Sequence, residues 1–274
     1  MQAAGNDFVL IHADDLEDAD LESVARHVSC RRFSIGSDGL LVLSQVPNGI
    51  KLRMFNPDGS EDFCGNGARC AALHALREGW VGNKFTIEHL GITVPATVSR
   101  DDQVTVTLPP PSLLFADVPY LPDAGDLAGE EVKVQGVKGT PISTGSTHFI
   151  VFRSYAIPDE EFLRVSPALE TDPHFPDRTS IMWTRILSEG QISLRIWERG
   201  AGETLGCGTG SSAAAVVYAK QSGYSRPIDV HNPGGTIRIE LAATGEIAMT
   251  STPVEVYKGQ VDLSASLTSL AGSR

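Results

Sequence analysis

The sequence predicts an α+β protein built as two similar, pseudo-symmetric lobes. Three observations support this. First, Gly59–Ala72 reads GSEDFCGNGARCAA and Gly202–Ala215 reads GETLGCGTGSSAAA, so Cys64 and Cys207, Gly65 and Gly208, and Gly67 and Gly210 fall on one another. Second, stretches with strand composition recur on both sides of Pro109–Pro110–Pro111. Third, each half carries one alanine-rich helix without a polar face, which is the signature of a buried central helix.

The first-half strands are expected at Phe8–His12, Leu40–Val46, Lys51–Phe55, Lys84–His89, Thr93–Ser99 and Gln103–Leu108. Asp20 is placed to cap a helix with Leu21, Val24, Ala25 and Val28 at helical spacing. A second helix is expected over Cys64–Glu78, stopped by Gly79. Phe115–Glu131, rich in Pro, Gly and Asp, reads as a connector. The second-half strands are expected at Thr147–Phe152, Ile181–Ile186, Gln191–Glu198, Pro227–His231, Thr236–Leu241 and Glu246–Thr250, with a helix over Cys207–Ser222 ending before Gly223. Val254–Tyr257 reads as a last strand. The repeat is one duplication, not a short-period array. The expected lobes are 1–110 with 252–274, carrying Cys64, and 111–251, carrying Cys207.

The formal net charge of −12 argues against nucleic-acid and anionic-membrane partners. No apolar run approaches a membrane span, and no basic segment followed by a long apolar core opens the chain, so a cytoplasmic location is expected. The four cysteines, Cys30, Cys64, Cys70 and Cys207, lack paired CxxC spacing, and no metal, pyridoxal or nicotinamide motif is present. Neither a metal nor another cofactor is therefore expected. Cys30 and Cys70, standing alone, read as packing residues.

Cys64 and Cys207 read differently, because each precedes a Gly-x-Gly turn at a helix start. The first turn of a helix offers unpaired N–H groups and a positive dipole end. Glycines let a carboxylate approach that backbone, at Gly65–Asn66–Gly67 in one copy and Gly208–Thr209–Gly210 in the other. The same field is expected to favour the neighbouring thiolate. Two such half-sites suit inversion of an amino-acid α-carbon: one thiolate removes the α-proton and the other thiol protonates the opposite face. Holding the carboxylate as it gains enolate charge is the expected main contribution to rate.

At these residues the chain resembles the diaminopimelate epimerase family. The matching stretches are AAGNDFVLIH (Ala3–His12), FNPDGSEDFCGNGARC (Phe55–Cys70) and ERGAGETLGCGTG (Glu198–Gly210), with looser matches at FPDRTS (Phe175–Ser180) and VYKGQVDL (Val256–Leu263). The CGNG spelling favours this family over the proline racemases, and phenazine-type isomerases of the same fold lack the cysteine pair. The resemblance implies a curled, mostly antiparallel sheet around a central helix in each lobe, the site between them, and a last strand returning to lobe one. It also implies a homodimer, a small-molecule amino-acid substrate and no cofactor. Carried over by position, Cys64 and Cys207 are the acid/base thiols. Gly65, Asn66, Gly208 and Thr209 bind the reacting carboxylate, and Asn6, Asn56, Glu198 and Arg199 contact the substrate. His148 stands where the family has a histidine near the site.

Three positions depart from the family pattern: Ser146 and Ser180 replace asparagines, and Gly39 replaces a frequent glutamine. All three fall among the substrate-contact positions. The chain also starts close to Gly5–Asn6, several residues shorter than the family's usual first strand, which leaves two expectations: a trimmed start or a different edge of lobe one. The leading reading is thus a diaminopimelate epimerase of lysine and peptidoglycan synthesis. Its rivals are a racemase of another amino acid, such as histidine, on the same scaffold, and a non-catalytic amino-acid-binding protein.

Overall fold

The structure is a computed structural model that describes residues 1–16 and 18–263. Two compact units are present: Met1–Val106 together with the described chain from Thr252, and Thr107–Ser251.

In the first unit β1 (Gln2–Ala3) turns into β2 (Asn6–His12), and a 3-10 turn leads to α1 (Leu21–Val28). Then come β3 (Gly39–Val46), β4 (Gly49–Phe55), α2 (Gly65–Arg77), β5 (Lys84–His89), β6 (Ile92–Val98) and β7 (Val104–Leu108). The strands pair in chain order. β2–β3 and β4–β5 are parallel; β1–β2, β3–β4, β5–β6 and β6–β7 are antiparallel. Helix α2 packs against β1, β2, β3, β4 and β6, so the sheet curls around it. Its small side chains Ala68, Ala71, Ala72 and Ala75 are buried and allow that close wrapping. Gly79, at φ +72°, ends α2: its N–H reaches Leu76 O and the Trp80 N–H reaches Ala75 O. That paired closure satisfies two end-of-helix carbonyls and needs the left-handed backbone glycine adopts.

The second unit repeats the scheme. It contains β8 (Val132–Val134), β9 (Val137–Ser143), β10 (Thr147–Phe152), α3 (Asp159–Glu170), β11 (Ser180–Ser188), β12 (Gln191–Glu198), β13 (Gly202–Thr204), α4 (Gly208–Ser222), β14 (Ile228–Asn232), β15 (Gly235–Leu241) and β16 (Ile247–Ser251). β10–β11 and β12–β14 are parallel, as β2–β3 and β4–β5 are, and the other pairs are antiparallel. Helix α4 packs against β9, β10, β11, β14, β15 and β16 and has no polar face. The duplicated sequence phrase thus marks a duplicated α+β unit.

Several elements depart from the sequence expectation. Val254–Tyr257 forms no strand. Val254 makes one antiparallel bridge with Gln2, whose strand is only two residues long, so no ladder can propagate. Helix α3 was not predicted because Pro167 interrupts its pattern, yet Asp159, Glu160 and Glu161 in its first turn match the helix dipole. β9 was hidden by Gly139 and Pro141. Pro141 lies beyond the last β8 pair, where its missing N–H costs nothing, and a side chain at Gly139 would collide with the Phe149 ring. The two- and three-residue strands β1, β8 and β13 are too short to show periodicity.

Candidate active site

Both cysteines sit at the N-cap of the central helix of their own unit. Cys64, at φ −133° and ψ 108°, precedes α2, and its Sγ accepts the Gly67 N–H at 3.4 Å. Cys207, at φ −129° and ψ 114°, precedes α4, and its Sγ accepts the Gly210 N–H at 3.3 Å. The thiol takes the place that a Ser or Asp oxygen takes at an ordinary N-cap. This corrects one expectation: the third N–H of each glycine turn serves the sulfur. Of the expected cradle, this leaves Gly65 and Asn66 in one unit and Gly208 and Thr209 in the other.

Space is tight at the glycines that hold the sulfurs. A methyl group on Gly210 would lie 2.5 Å from the Met182 thioether and 3.2 Å from Cys207 Sγ. One on Gly67 would lie 2.8 Å from Leu41 Cδ2. Leu41 and Met182 occupy matching places on β3 and β11, so the same close helix–strand approach occurs twice.

The duplication extends to the side chains around each sulfur. In the first unit Asn6, opening β2, accepts a hydrogen bond from Asn66 Nδ2, and its own Nδ2 donates to Asp38. The buried Arg69 donates to Asn66 Oδ1. In the second unit Ser146, just before β10, shares a 3.3 Å hydrogen bond with Thr209 Oγ1. Asn6 and Ser146 hold matching places, as do Asn66 and Thr209. Thr209 Oγ1 in turn lies 3.5 Å from Cys207 Sγ, and Ser146 Oγ lies 3.0 Å from His148 Nε2. Cys207, Thr209, Ser146 and His148 therefore form one connected polar group.

Ser180 opens β11 and accepts the Arg199 N–H at 3.0 Å. The exposed Arg199 guanidinium donates to Asp177 O. Glu198 accepts from Thr204 Oγ1 and also lies beside Cys207. Asn56 is tied to Ser60 through its Nδ2 and its backbone. Gly39 opens β3, where a methyl group would lie 2.7 Å from Phe55 O and 2.9 Å from Met54 Cε. The glutamine common in the family thus has no room on this backbone, and the reason for glycine here is packing.

The electrostatics of Cys207 reverse a second expectation. Burial pushes its thiol well above the ordinary value, and the Glu198 carboxylate pushes it further. The Thr209 and Gly210 hydrogen bonds pull the other way and do not prevail. With 6 % of its surface exposed, Cys207 rests as a thiol in its unit. Burial likewise holds His148 at about 3, with Arg199 adding to the effect, so its imidazole is neutral. Cys70 is fully buried and pushed up to about 12, as a packing thiol should be. Among the described residues no three His, Cys, Asp or Glu side chains cluster as a metal site, and no helix is long and apolar enough to cross a membrane.

Sequence reasoning missed His89. It ends β5, is buried, and its Nε2 accepts the Cys64 N–H at 3.4 Å. A lone strand-end histidine carries no sequence signal of that contact.

The diaminopimelate epimerase family profile matches residues 1–114 and 140–263 of this chain. The chain belongs to the diaminopimelate epimerase family. A diaminopimelate epimerase of Moorella thermoacetica is 36% identical, with 96% of this chain and 98% of that relative covered. One from Pseudomonas aeruginosa is 35% identical, with 96% and 98% covered. Among solved structures, a phenazine biosynthesis protein of the PhzF family from Bacillus anthracis aligns with TM-score 0.66 at 17% identity, covering 96% of this chain and 95% of its own. A hydroxyproline epimerase from Agrobacterium vitis aligns with TM-score 0.62 at 15% identity, covering 85% and 78%. These two show a shared fold. The chain is thus an α+β member of an isomerase family.

Proposed function

We propose that this chain interconverts LL- and meso-diaminopimelate in lysine and peptidoglycan synthesis, without a cofactor, using Cys64 and Cys207 as its acid/base pair. The observation that carries the proposal is the repeated N-cap cysteine: two sulfurs, each on a helix start suited to a carboxylate, in a chain of this family. Cys64, as thiolate, takes the α-proton; the C–H electron pair moves into the carboxylate as an enolate. Cys207, resting as a thiol, gives its proton to the opposite face of the α-carbon. The electron pair returns to carbon, and Cys207 is left as the thiolate. One proton is removed and one delivered, so the substrate's composition is unchanged. In the reverse direction the roles exchange.

The N–H groups of Gly65, Asn66, Gly208 and Thr209 hold the reacting carboxylate while it gains charge. Glu198 accepts from the substrate ammonium, and Arg199 supplies a planar fork for a carboxylate. Asn6 and Asn56 complete the contacts as neutral hydrogen-bonding groups. The enzyme acts in the cytoplasm as a homodimer. Its acidic composition suits neither nucleic acid nor anionic membrane as partner.

A second reading, a racemase of another amino acid such as histidine, draws on Ser146 and Ser180. Both hydroxyls are engaged within the protein and are shorter than the asparagines they replace. Incubation with LL-diaminopimelate and a panel of L-amino acids in deuterated water separates the two. α-Deuterium in diaminopimelate is the expected result. Label in another amino acid and none in diaminopimelate would overturn the substrate assignment. Loss of inversion in both Cys64→Ala and Cys207→Ala is expected, and continued formation of the inverted isomer in either would remove that cysteine from the chemistry.

A further inference from the structure

The strand that follows each central helix ends on a buried polar residue that reaches back to the start of that helix. In the first unit this is His89, which pairs with Ile92 across the β5–β6 turn. In the second it is Asn232, which pairs with Gly235 across the β14–β15 turn. Asn232 Oδ1 accepts from Ser211 Oγ, in the first turn of α4, at 3.0 Å. His89 Nε2 accepts from the N–H of Cys64 itself at 3.4 Å. The two residues hold matching places in the duplicated units and meet different partners: the N-cap N–H in one, a first-turn hydroxyl in the other.

From this we infer that His89 is a positioning residue for Cys64, fixing the backbone of the N-cap so that Sγ stays within reach of the Gly67 N–H. Three features support it. His89 is 1% exposed, so its ring is held by packing. The Phe63 ring, adjacent to Cys64 in sequence, stacks on it at 4.9 Å and 27°. And Nε2 is an acceptor only in the neutral tautomer with its proton on Nδ1. Burial favours that neutral form, against the pull of the Leu52 carbonyl and the Glu61 and Asp62 carboxylates. Lys51, Arg53, Glu61 and Glu88 border the same cavity as His89. If the N-cap backbone moves, Sγ loses the N–H that stabilises its thiolate, and the thiol becomes harder to ionise.

The inference rests on Cys64 being one of the two acid/base thiols, but its test needs no substrate. Cys64 alkylation by iodoacetamide, followed by peptide mass spectrometry across pH, reads the ionisation of that thiol directly. His89→Leu removes the acceptor, while His89→Gln supplies an amide oxygen that reaches the place of Nε2. Expected is a higher pH midpoint for Cys64 in His89→Leu, with alkylation at pH 7 slowed about fivefold, the equivalent of one neutral hydrogen bond. His89→Gln restores the parent midpoint, and Cys207 reactivity is unchanged in both. A parent-like midpoint in His89→Leu, or failure of His89→Gln to restore it, would overturn the inference. A test without mutation is the nitrogen-15 spectrum of the parent His89 ring: an unprotonated Nε2 is expected, and a protonated one refutes the contact. Absence of α-proton exchange in the parent would instead defeat the epimerase reading and leave these outcomes interpretable.

Discussion

Substituting alanine for Gly210 tests the packing that holds Cys207 at its helix start. The added methyl lies 2.5 Å from Met182 Sδ and Cε and 3.2 Å from Cys207 Sγ, against ordinary contacts of 3.4 Å or more. Met182 is fully buried, so its thioether cannot swing into solvent. Overpacking of this kind costs about 1–3 kcal/mol, and the gain from alanine's helix propensity offsets at most ~1 kcal/mol of it. The expected net loss of about 1–2 kcal/mol corresponds to a fall of roughly 2–8 °C in Tm for a chain of this size. Displacing Cys207 also weakens its Gly210 hydrogen bond, so under the proposed mechanism kcat falls with stability. Scanning calorimetry and epimerase assays on Gly210→Ala, Met182→Ala and the double variant form a thermodynamic cycle. Met182→Ala alone costs about 2–5 kcal/mol by opening a cavity. If the methyl and the thioether compete for one space, the double variant is more stable than the sum of the single losses by about 1–2 kcal/mol. Strict additivity, or an unperturbed Gly210→Ala, would refute the close-approach explanation for that glycine.

Four shorter predictions follow from other residues. Gly79 stands at φ +72° with nothing within 4 Å of an added methyl, so Gly79→Ala carries only a backbone cost of about 1 kcal/mol, measurable as a small Tm loss without loss of activity. His148 titrates at about 3 in the folded unit and at 6.5 ordinarily, so between those values the unfolded chain binds a proton that the folded chain refuses. Its contribution is fully present above 6.5 and is lost at about 1.4 kcal/mol per pH unit as pH falls toward 3; acid unfolding of His148→Gln should lack that slope. Cys70, fully buried with its thiol at about 12, should resist alkylation in the native protein at pH 8, and Cys70→Ala should retain α-proton exchange. With both thiols needed for turnover, as proposed, thiol oxidation should abolish activity until a reductant is added; full activity after complete oxidation contradicts the proposal.

The duplicated GxxxxCGxGxxxAA phrase made the two-unit α+β fold and both N-cap cysteines legible from sequence. Local rules sufficed there: glycines for close approach, alanines for a wrapped helix, Gly79 and Gly223 for the stops. What escaped depended on tertiary partners. Helix α3 carries a proline within it, and β9 carries a glycine required by the Phe149 ring of the neighbouring strand. Val254–Tyr257 has strand composition but only a two-residue partner. At the two cysteines, the N-cap position was readable but the electrostatics were not. The helix start alone suggests a favoured thiolate, whereas burial and Glu198 make Cys207 a thiol. Gly39 looked like a missing substrate contact until the Phe55 carbonyl showed why no side chain fits.

In the proposed mechanism two different sulfurs handle the departing and the arriving proton. Early-time turnover of LL-diaminopimelate in deuterated water tests it most directly, with mass spectrometry of both the inverted product and the recovered starting isomer. Two separate thiols predict deuterium at one α-carbon of the meso product and protium throughout the recovered LL isomer. Deuterium entering the recovered starting isomer as fast as the product, or protium carried over into the product, would mean that one group serves both faces and would contradict the account.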